Sequence, residues 1–160
     1  MRVAIGQDSH RFVEHTEGQG CILGGVRFDE APALSANSDG DVVLHAVTNA
    51  VSGITCRNIL GRVADEMCRA GITDSREYLK TALRDLAERG FSPVHLSITI
   101  ECARPKISPK VGEMRASIGE LMGLSPDCVG ITATTGEGLT DFGRGLGVSV
   151  FCVLTVEEAA

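Results

Sequence analysis

Apolar side chains at Val43, Ala46, Val47, Ala50, Val51 and Ile54 recur at the spacing of one helix face, given an advance of ~100° per residue. A stripe of this kind obliges the rest of the chain to build a core against it. The stretch Asn37-Ser-Asp-Gly-Asp-Val-Val-Leu-His45 turns out of a loop into that helix, with a start expected near Ser38 or Asp39. On this register Asp41, His45 and Thr48 fall on the opposite side, with Asp41 and His45 one turn apart. His45 then faces a site and is not a packing residue. Asp39 and Asp41 could bind a metal or cap the helix; capping suits Asp39, and Asp41 is placed to orient the His45 imidazole. The loop should leave helix N–H groups unpaired and open to an anion such as phosphate.

Other elements follow from period and punctuation. Arg2 to Asp8 reads as a strand, and Ile22 to Phe28 as a second one bent at Gly24-Gly25. Cys56 to Gly71 has weak periodicity and is expected to be a mobile or ligand-dependent loop. Asp74-Ser-Arg-Glu77 has capping-box spacing ahead of a helix that Gly90 stops. Leu96 to Cys102 alternates as a half-buried strand, and Ser108-Pro109 opens a helix through Met122. Val129 to Thr134 and Gly147 to Val156 read as two further strands. The order predicts an α+β fold in which helices cover one face of a mixed β-sheet. The 160 residues read as a single domain.

A net charge of −6, with five Phe, one Tyr and no Trp, argues against a nucleic-acid surface, which needs a basic face and stacking aromatics. Few aromatic anchors also favour burial through oligomerisation. No apolar run is long enough for a membrane span, and the opening residues read as a strand, so a cytoplasmic protein is expected. The six cysteines form no C-x-x-C pair and read as reduced thiols, with Cys102 and Cys152 buried.

Three places could carry chemistry. Asp8 and His10 share a strand face, and with His45 they could hold one cation through three ligands and leave a fourth position open, as in catalytic zinc sites. The spacing alone also allows a surface Asp–His hydrogen bond and an unrelated helix histidine. Ala133-Thr-Thr-Gly-Glu-Gly138 could present hydroxyl and N–H donors to phosphate, with Glu137 on Mg²⁺, or be only a glycine-rich turn. Arg104-Pro-Lys106 could belong to a nucleotide pocket or a solvated loop. Gly143-Arg-Gly-Leu-Gly147 leads into a strand and not a helix, which rules out a dinucleotide fingerprint; Arg144 could still pair with an anion.

Asp8-x-His10, Ser38-Asp-Gly-Asp-x-x-Leu-His45, Asp74-Ser75, Pro105-Lys106, Ala133-Thr-Thr-x-Glu137 and Gly143-Arg-Gly145 occur in this order across almost the whole chain. Together they resemble the 2-C-methyl-D-erythritol 2,4-cyclodiphosphate synthase family. The resemblance implies a homotrimer with active sites between neighbouring subunits. It implies conversion of 4-diphosphocytidyl-2-C-methyl-D-erythritol 2-phosphate to the cyclic diphosphate with release of CMP, in non-mevalonate isoprenoid synthesis. The substrate's own 2-phosphate is the nucleophile, so positioning and charge neutralisation carry the reaction. Carried over residue by residue, Asp8, His10 and His45 would hold zinc, and Glu137 would bind Mg²⁺ or Mn²⁺. Thr134 and Thr135 would contact the diphosphate, with Thr135 acting on charge at the reacting phosphorus. Cys102 to Lys106 and Ala133 would line the cytidine pocket. Ser38 would contact the erythritol phosphate, and Gly61, Gly136 and Arg144 would complete the substrate contacts.

The chain also departs from the family. Asn37 stands where a histidine is usual, so phosphate stabilisation there should be weaker, although Asn37 keeps one neutral hydrogen bond to offer. Asn58-Ile-Leu-Gly61 lacks the aspartate of the family's Gly-Asp-Ile-Gly, and Ala64-Asp-Glu66 replaces Phe-Pro-Asp. Gln7 and Leu146 stand where Phe and Glu are common near the trimer axis, which bears on any isoprenoid diphosphate bound there. These departures leave two rivals, a divergent metal phosphoesterase and a catalytically impaired nucleotide-binding homologue.

Overall fold

The computed structural model describes residues 1–160. The elements are β1 (Arg2–Arg11), β2 (Cys21–Leu23), β3 (Val26–Phe28), α1 (Val42–Thr55), α2 (Arg62–Arg69), α3 (Ser75–Glu88), β4 (Phe91–Glu101), α4 (Val111–Met122), β5 (Val129–Thr134) and β6 (Gly147–Glu158). The main sheet runs β1-β6-β4-β5. β6 is antiparallel to both neighbours, whereas β4 and β5 pair in parallel through the α4 crossover. The α+β reading with a mixed sheet holds. Ala4, Gly6, Asp8 and His10 of β1 share the helix-covered face with Val150, Cys152, Leu154, Leu96, Ile98 and Ile100.

The other face is open. Val3, Ile5, Phe151 and Val153 lie on it at 62%, 65%, 47% and 41% exposure. Ile5 pairs with Val153, and Gln7 lies across from Phe151. Four such side chains on adjacent strands make an apolar patch of the kind that marks an interface.

Four expectations are corrected. The second strand is a two-stranded hairpin, because Gly24 and Gly25 take φ of 62° and 75°, the mirror-image turn that joins antiparallel strands tightly. The 56–71 stretch is not a loop throughout: α2 occupies Arg62–Arg69 with only Ala64 buried, and so little apolar surface leaves little periodicity to read. α1 begins at Val42, three or four residues later than expected, because Gly40 sits at φ 75°, outside helical space. α1 is also buried nearly all round, because β1, β6 and α3 all pack on it. The 74–90 helix forms as expected, with Asp74 accepting from the Arg76 N–H. The chain from Ser108 makes one 3₁₀ turn before α4 starts at Val111.

The approach of α1 to β1 is set by small residues. A Cβ on Gly6 would lie 2.0 Å from the Ala46 carbonyl oxygen and 2.6 Å from the Ala50 nitrogen. Only glycine permits this contact. It brings the start of α1 beside the end of β1.

Candidate functional site: a three-residue metal-ligand cluster

β1 carries Asp8 and His10 on its covered face, and the second turn of α1 brings His45 over them. His10 Nε2 lies 3.0 Å from Asp8 Oδ2 and 3.0 Å from His45 Nδ1. His45 Nδ1 lies 3.2 Å from Asp8 Oδ2. Three donor atoms from two elements thus converge on one point. Ligands held at ~2.05 Å in a tetrahedron stand about 3.3 Å apart, so the triangle is close to the size that zinc requires.

The far nitrogens of both imidazoles are engaged. His10 Nδ1 donates to the Ser35 carbonyl at 2.8 Å, which leaves the Nε2 lone pair for a cation. His45 Nε2 contacts Ser75 Oγ at 2.8 Å, and the Ser75 hydroxyl donates to Asp39. Burial would raise the Asp8 carboxyl, but hydrogen bonds from His10 and His45 and their positive charge hold it well below the usual carboxylate range. His10 is raised, chiefly by its hydrogen bond to Asp8 and against the effect of burial. A carboxylate and two imidazoles in this arrangement fit a divalent cation, and they spare one direction for a further ligand.

That direction opens on a cleft of about 380 Å³ lined by Asn37, Ser38, Asn49, Leu60, Gly61, Ala64, Asp65, Cys68 and Tyr78 beside the triad. Asn37, Ser38 and Gly61 line this cleft beside the triad. Asp65 and Cys68 join the lining from α2.

The aspartates exchange roles. Asp41 is the N-cap of α1: its Oδ1 accepts from Leu44 N–H at 3.0 Å and Gly24 N–H at 2.8 Å, and its Oδ2 accepts from Gly25 N–H at 2.7 Å. It is wholly buried and points away from His45 into the hairpin turn. Burial nonetheless pushes its carboxyl up to about 6, against these backbone bonds. Asp39 is the residue that reaches His45, through Ser75. The expected anion site at the start of α1 is absent, because Asp41 closes that end and Val42 to Leu44 are buried.

The second group of candidates lies elsewhere. Thr134 ends β5, and Thr135, Gly136 and Glu137 follow in a 3₁₀ turn with Glu137 at φ 55°. Thr134 Oγ accepts from Gly136 N–H at 3.0 Å, and Thr135 Oγ from Glu137 N–H at 3.4 Å. Ala103 N–H donates to the Phe142 carbonyl at 3.0 Å, so the 103–106 loop lies beside the loop that carries Arg144. Arg144 pairs with Asp141 at 2.8 Å, and Lys106 and Ala133 are exposed. Cys102 is turned inward, its thiol 3.7 Å from the Pro105 carbonyl oxygen and pushed up to about 11 by burial. Its side chain cannot line a pocket; only its main chain can.

β1 and β5 are the two edges of the sheet. Ser9 pairs with Ser149, Ser149 with Glu101, and Glu101 with Thr134. The two groups therefore stand at the same end of the sheet but three strand spacings apart, about 14 Å. One chain does not bring Glu137 to His45.

The YgbB family model matches residues 1–157. The 2-C-methyl-D-erythritol 2,4-cyclodiphosphate synthase of Chlamydia felis (strain Fe/C-56) is 54% identical over 158 residues, covering 98% of this chain and 89% of that protein. The enzyme of the same name from Chlamydia muridarum (strain MoPn / Nigg) is 53% identical, covering 98% and 88%. Among solved structures, the CDP-bound form of 2C-methyl-D-erythritol-2,4-cyclodiphosphate synthase superposes with a TM-score of 0.83 at 29% identity, covering 98% of this chain and all of that one. The bifunctional IspDF from Campylobacter jejuni superposes at 0.87 with 27% identity; the match takes in 98% of this chain but 42% of that longer protein. The chain belongs to the YgbB family, the family of the 2-C-methyl-D-erythritol 2,4-cyclodiphosphate synthases, and is an enzyme of the lyase class.

Proposed function

We propose that the chain converts 4-diphosphocytidyl-2-C-methyl-D-erythritol 2-phosphate to 2-C-methyl-D-erythritol 2,4-cyclodiphosphate and CMP, as one synthase-like domain over residues 1–160. The observation that carries the reading is the convergence of Asp8, His10 and His45 at the mouth of the 380 Å³ cleft. A zinc ion held there would supply Lewis acidity to a phosphate oxygen. Asp8, His10 and His45 would hold that zinc, and the β-phosphate would be positioned through it. An oxygen of the 2-phosphate then forms a bond to the β-phosphorus as the bond to the α-phosphate oxygen breaks and CMP leaves. Ser38 and Asn37, on the rim of the cleft, bind the 2-phosphate, and Gly61 borders the erythritol unit. Thr134, Thr135 and Gly136 donate to the diphosphate. Glu137 holds Mg²⁺ or Mn²⁺, and Arg144 adds a cation. Lys106, Ala133 and the main chain from Cys102 receive the cytidine.

These two groups meet only if chains associate. Half-sites at the same end of opposite sheet edges are complementary in a head-to-tail ring, in which each chain offers its β1 edge to the β5 edge of the next. The open face with Val3, Ile5, Phe151 and Val153 supplies the apolar surface for the ring interior. A homotrimer is the arrangement we propose, soluble and acting in the cytoplasm.

The test is turnover of the substrate with Zn²⁺ and Mg²⁺, followed by phosphorus NMR, with His45→Ala as control. The reading expects the cyclic diphosphate and CMP, and no product from the control. CMP without the cyclic product would make water the nucleophile and the protein a phosphoesterase. Binding of CDP without turnover would make it an impaired homologue.

A further inference from the structure

We propose that Asp39 and Ser75 form a hydrogen-bonded relay that orients His45 as a metal ligand and so sets the metal affinity of the site. The inference rests on the metal reading of the Asp8–His10–His45 triad.

A carboxylate only accepts hydrogen bonds. Asp39 Oδ2 accepts from the Ser75 N–H at 3.1 Å, while Oδ1 accepts from the Ser75 hydroxyl and from the Asp41 N–H at 3.1 Å. Ser75 has one hydroxyl proton, and Asp39 takes it. Toward His45 the Ser75 oxygen therefore presents lone pairs, and the 2.8 Å contact requires a proton on His45 Nε2. When a cation displaces the proton that His45 Nδ1 shares with Asp8 in the metal-free triad, the imidazole that remains is neutral, protonated at Nε2, with its lone pair on Nδ1, the atom that faces Asp8 and His10. Ser38 Oγ stands farther from the same nitrogen, at 3.4 Å, and accepts from the Gly40 N–H, so the shorter Ser75 contact sets the proton on Nε2. Ser75 is fully buried, so water does not compete for its oxygen.

Both ends of the relay are anchored. Ser75 is the first residue of α3, and the Asp39 N–H donates to the Thr73 carbonyl at 2.9 Å, which ties the 35–41 loop to the start of α3. His10 reaches the same result by another route, since a main-chain carbonyl holds its far nitrogen. Each imidazole is thus held from behind, and for His45 the holder carries a carboxylate charge one hydroxyl away. Such support raises ligand basicity and limits ring rotation.

The test uses the full chain with Ser75→Ala and Asp39→Asn, zinc affinity by competition with a chromophoric chelator, and proton NMR of the imidazole N–H groups in zinc-loaded protein. We expect zinc binding to weaken about 10- to 100-fold in Ser75→Ala. Asp39→Asn should lose a similar factor, because its new NH₂ must face the Ser75 N–H or the Asp41 N–H. In the unaltered protein the His45 Nε2–H should resist solvent exchange; in both variants it should exchange freely while the His10 Nδ1–H stays protected. A role confined to stability would move the melting temperature and leave this selective loss unseen. Zinc affinity within twofold in Ser75→Ala overturns the relay. So does a freely exchanging His45 Nε2–H in the unaltered protein, a result that needs no variant to fold. If the unaltered protein takes up no zinc, the metal reading falls and the relay falls with it; tight binding by both forms removes the relay alone.

Discussion

Gly6→Ala perturbs fold and site together. The added Cβ would stand 2.0 Å from Ala46 O, 2.6 Å from Ala50 N and 2.9 Å from Ala50 Cβ, where ordinary contact begins at 3.4 Å. Two of these atoms are helix backbone, so no side chain can rotate to relieve the clash. α1 and β1 must separate by about 1.4 Å, the shortfall at Ala46. Overpacking of this kind costs about 1–3 kcal/mol, and the upper end applies where backbone meets backbone. For a chain of this length that is a fall in melting temperature of roughly 6–12 °C at 3 kcal/mol. The same displacement acts on the ligands, because Asp8 is two residues from Gly6 on the same face and His45 precedes Ala46. A shift of over an ångström exceeds the ~0.2 Å latitude of a metal site, so zinc affinity should fall by two orders of magnitude or more. Gly53→Ala is the milder comparison on the same seam: its Cβ would lie 3.1 Å from Ala4 Cβ, about 0.3 Å short of ordinary contact, which offsets part of the roughly 0.5–1 kcal/mol that alanine recovers in a helix. Denaturant unfolding and a zinc competition titration measure both effects. Gly6→Ala with stability within 0.5 kcal/mol of the parent and unchanged zinc affinity would refute the claim that this contact positions the triad.

Asp41→Ala should destabilise by about 3–5 kcal/mol, since it strands the Leu44 and Gly24 N–H groups in the interior and frees that of Gly25; equilibrium unfolding in urea reads this, and a loss under 1 kcal/mol would contradict the cap. The metal-free protein should lose stability as pH rises. His10, which faces Asp8 and His45 with Asp41 beyond, has a folded pKa raised above the ordinary 6.5 of a histidine, so its contribution is complete below 6.5 and is lost as pH passes the raised value. Zinc must displace that proton, so the stabilisation that zinc adds should grow over the same interval; melting curves with chelator and with zinc at pH 5.5 and 8.5 should diverge, and parallel shifts would contradict this. Phe151→Glu places a charge in the proposed ring interior and should yield a species near the 16.8 kDa chain mass by light scattering; an intact trimer would show that this face does not point inward.

The legible parts of the fold were those with long, regular signals. Leu96 to Cys102 alternates cleanly because β4 is covered on one side only, and the open side keeps Ser97 and Thr99. The helix from Ser75 carries its cap and its stop in sequence. α2 escaped because a helix that buries one residue in eight writes no stripe. The hairpin at Gly24-Gly25 was read as a bent strand because both signals are the same two glycines; what separates them is the pairing of Cys21 with Phe28, which no local pattern carries.

In the site, the triad was legible and its support was not, and the reason lies in one register error. Placing the start of α1 at Ser38 or Asp39 put Asp41 on the helix, one turn before His45, where a wheel gives it the same face. Gly40 at φ 75° ends the loop in a conformation a helix cannot contain, so Asp41 is the cap and its side chain turns back to Leu44. A residue outside the helix has no wheel position, and the i, i+4 argument did not apply to it. Asp39, set aside as a cap, is then free to reach across to Ser75, 36 residues on, and through it to His45. The Asp74-Ser75 pair signalled a helix start and nothing more. A first-turn serine whose hydroxyl leaves its own helix to serve another is a tertiary fact, visible only when α1 and α3 are packed side by side. The same limit explains the divided site: sequence order lists Asp8, His45 and Glu137 as one motif set, whereas strand order places them on opposite edges, and it is that separation that makes association of chains a requirement of the proposed chemistry.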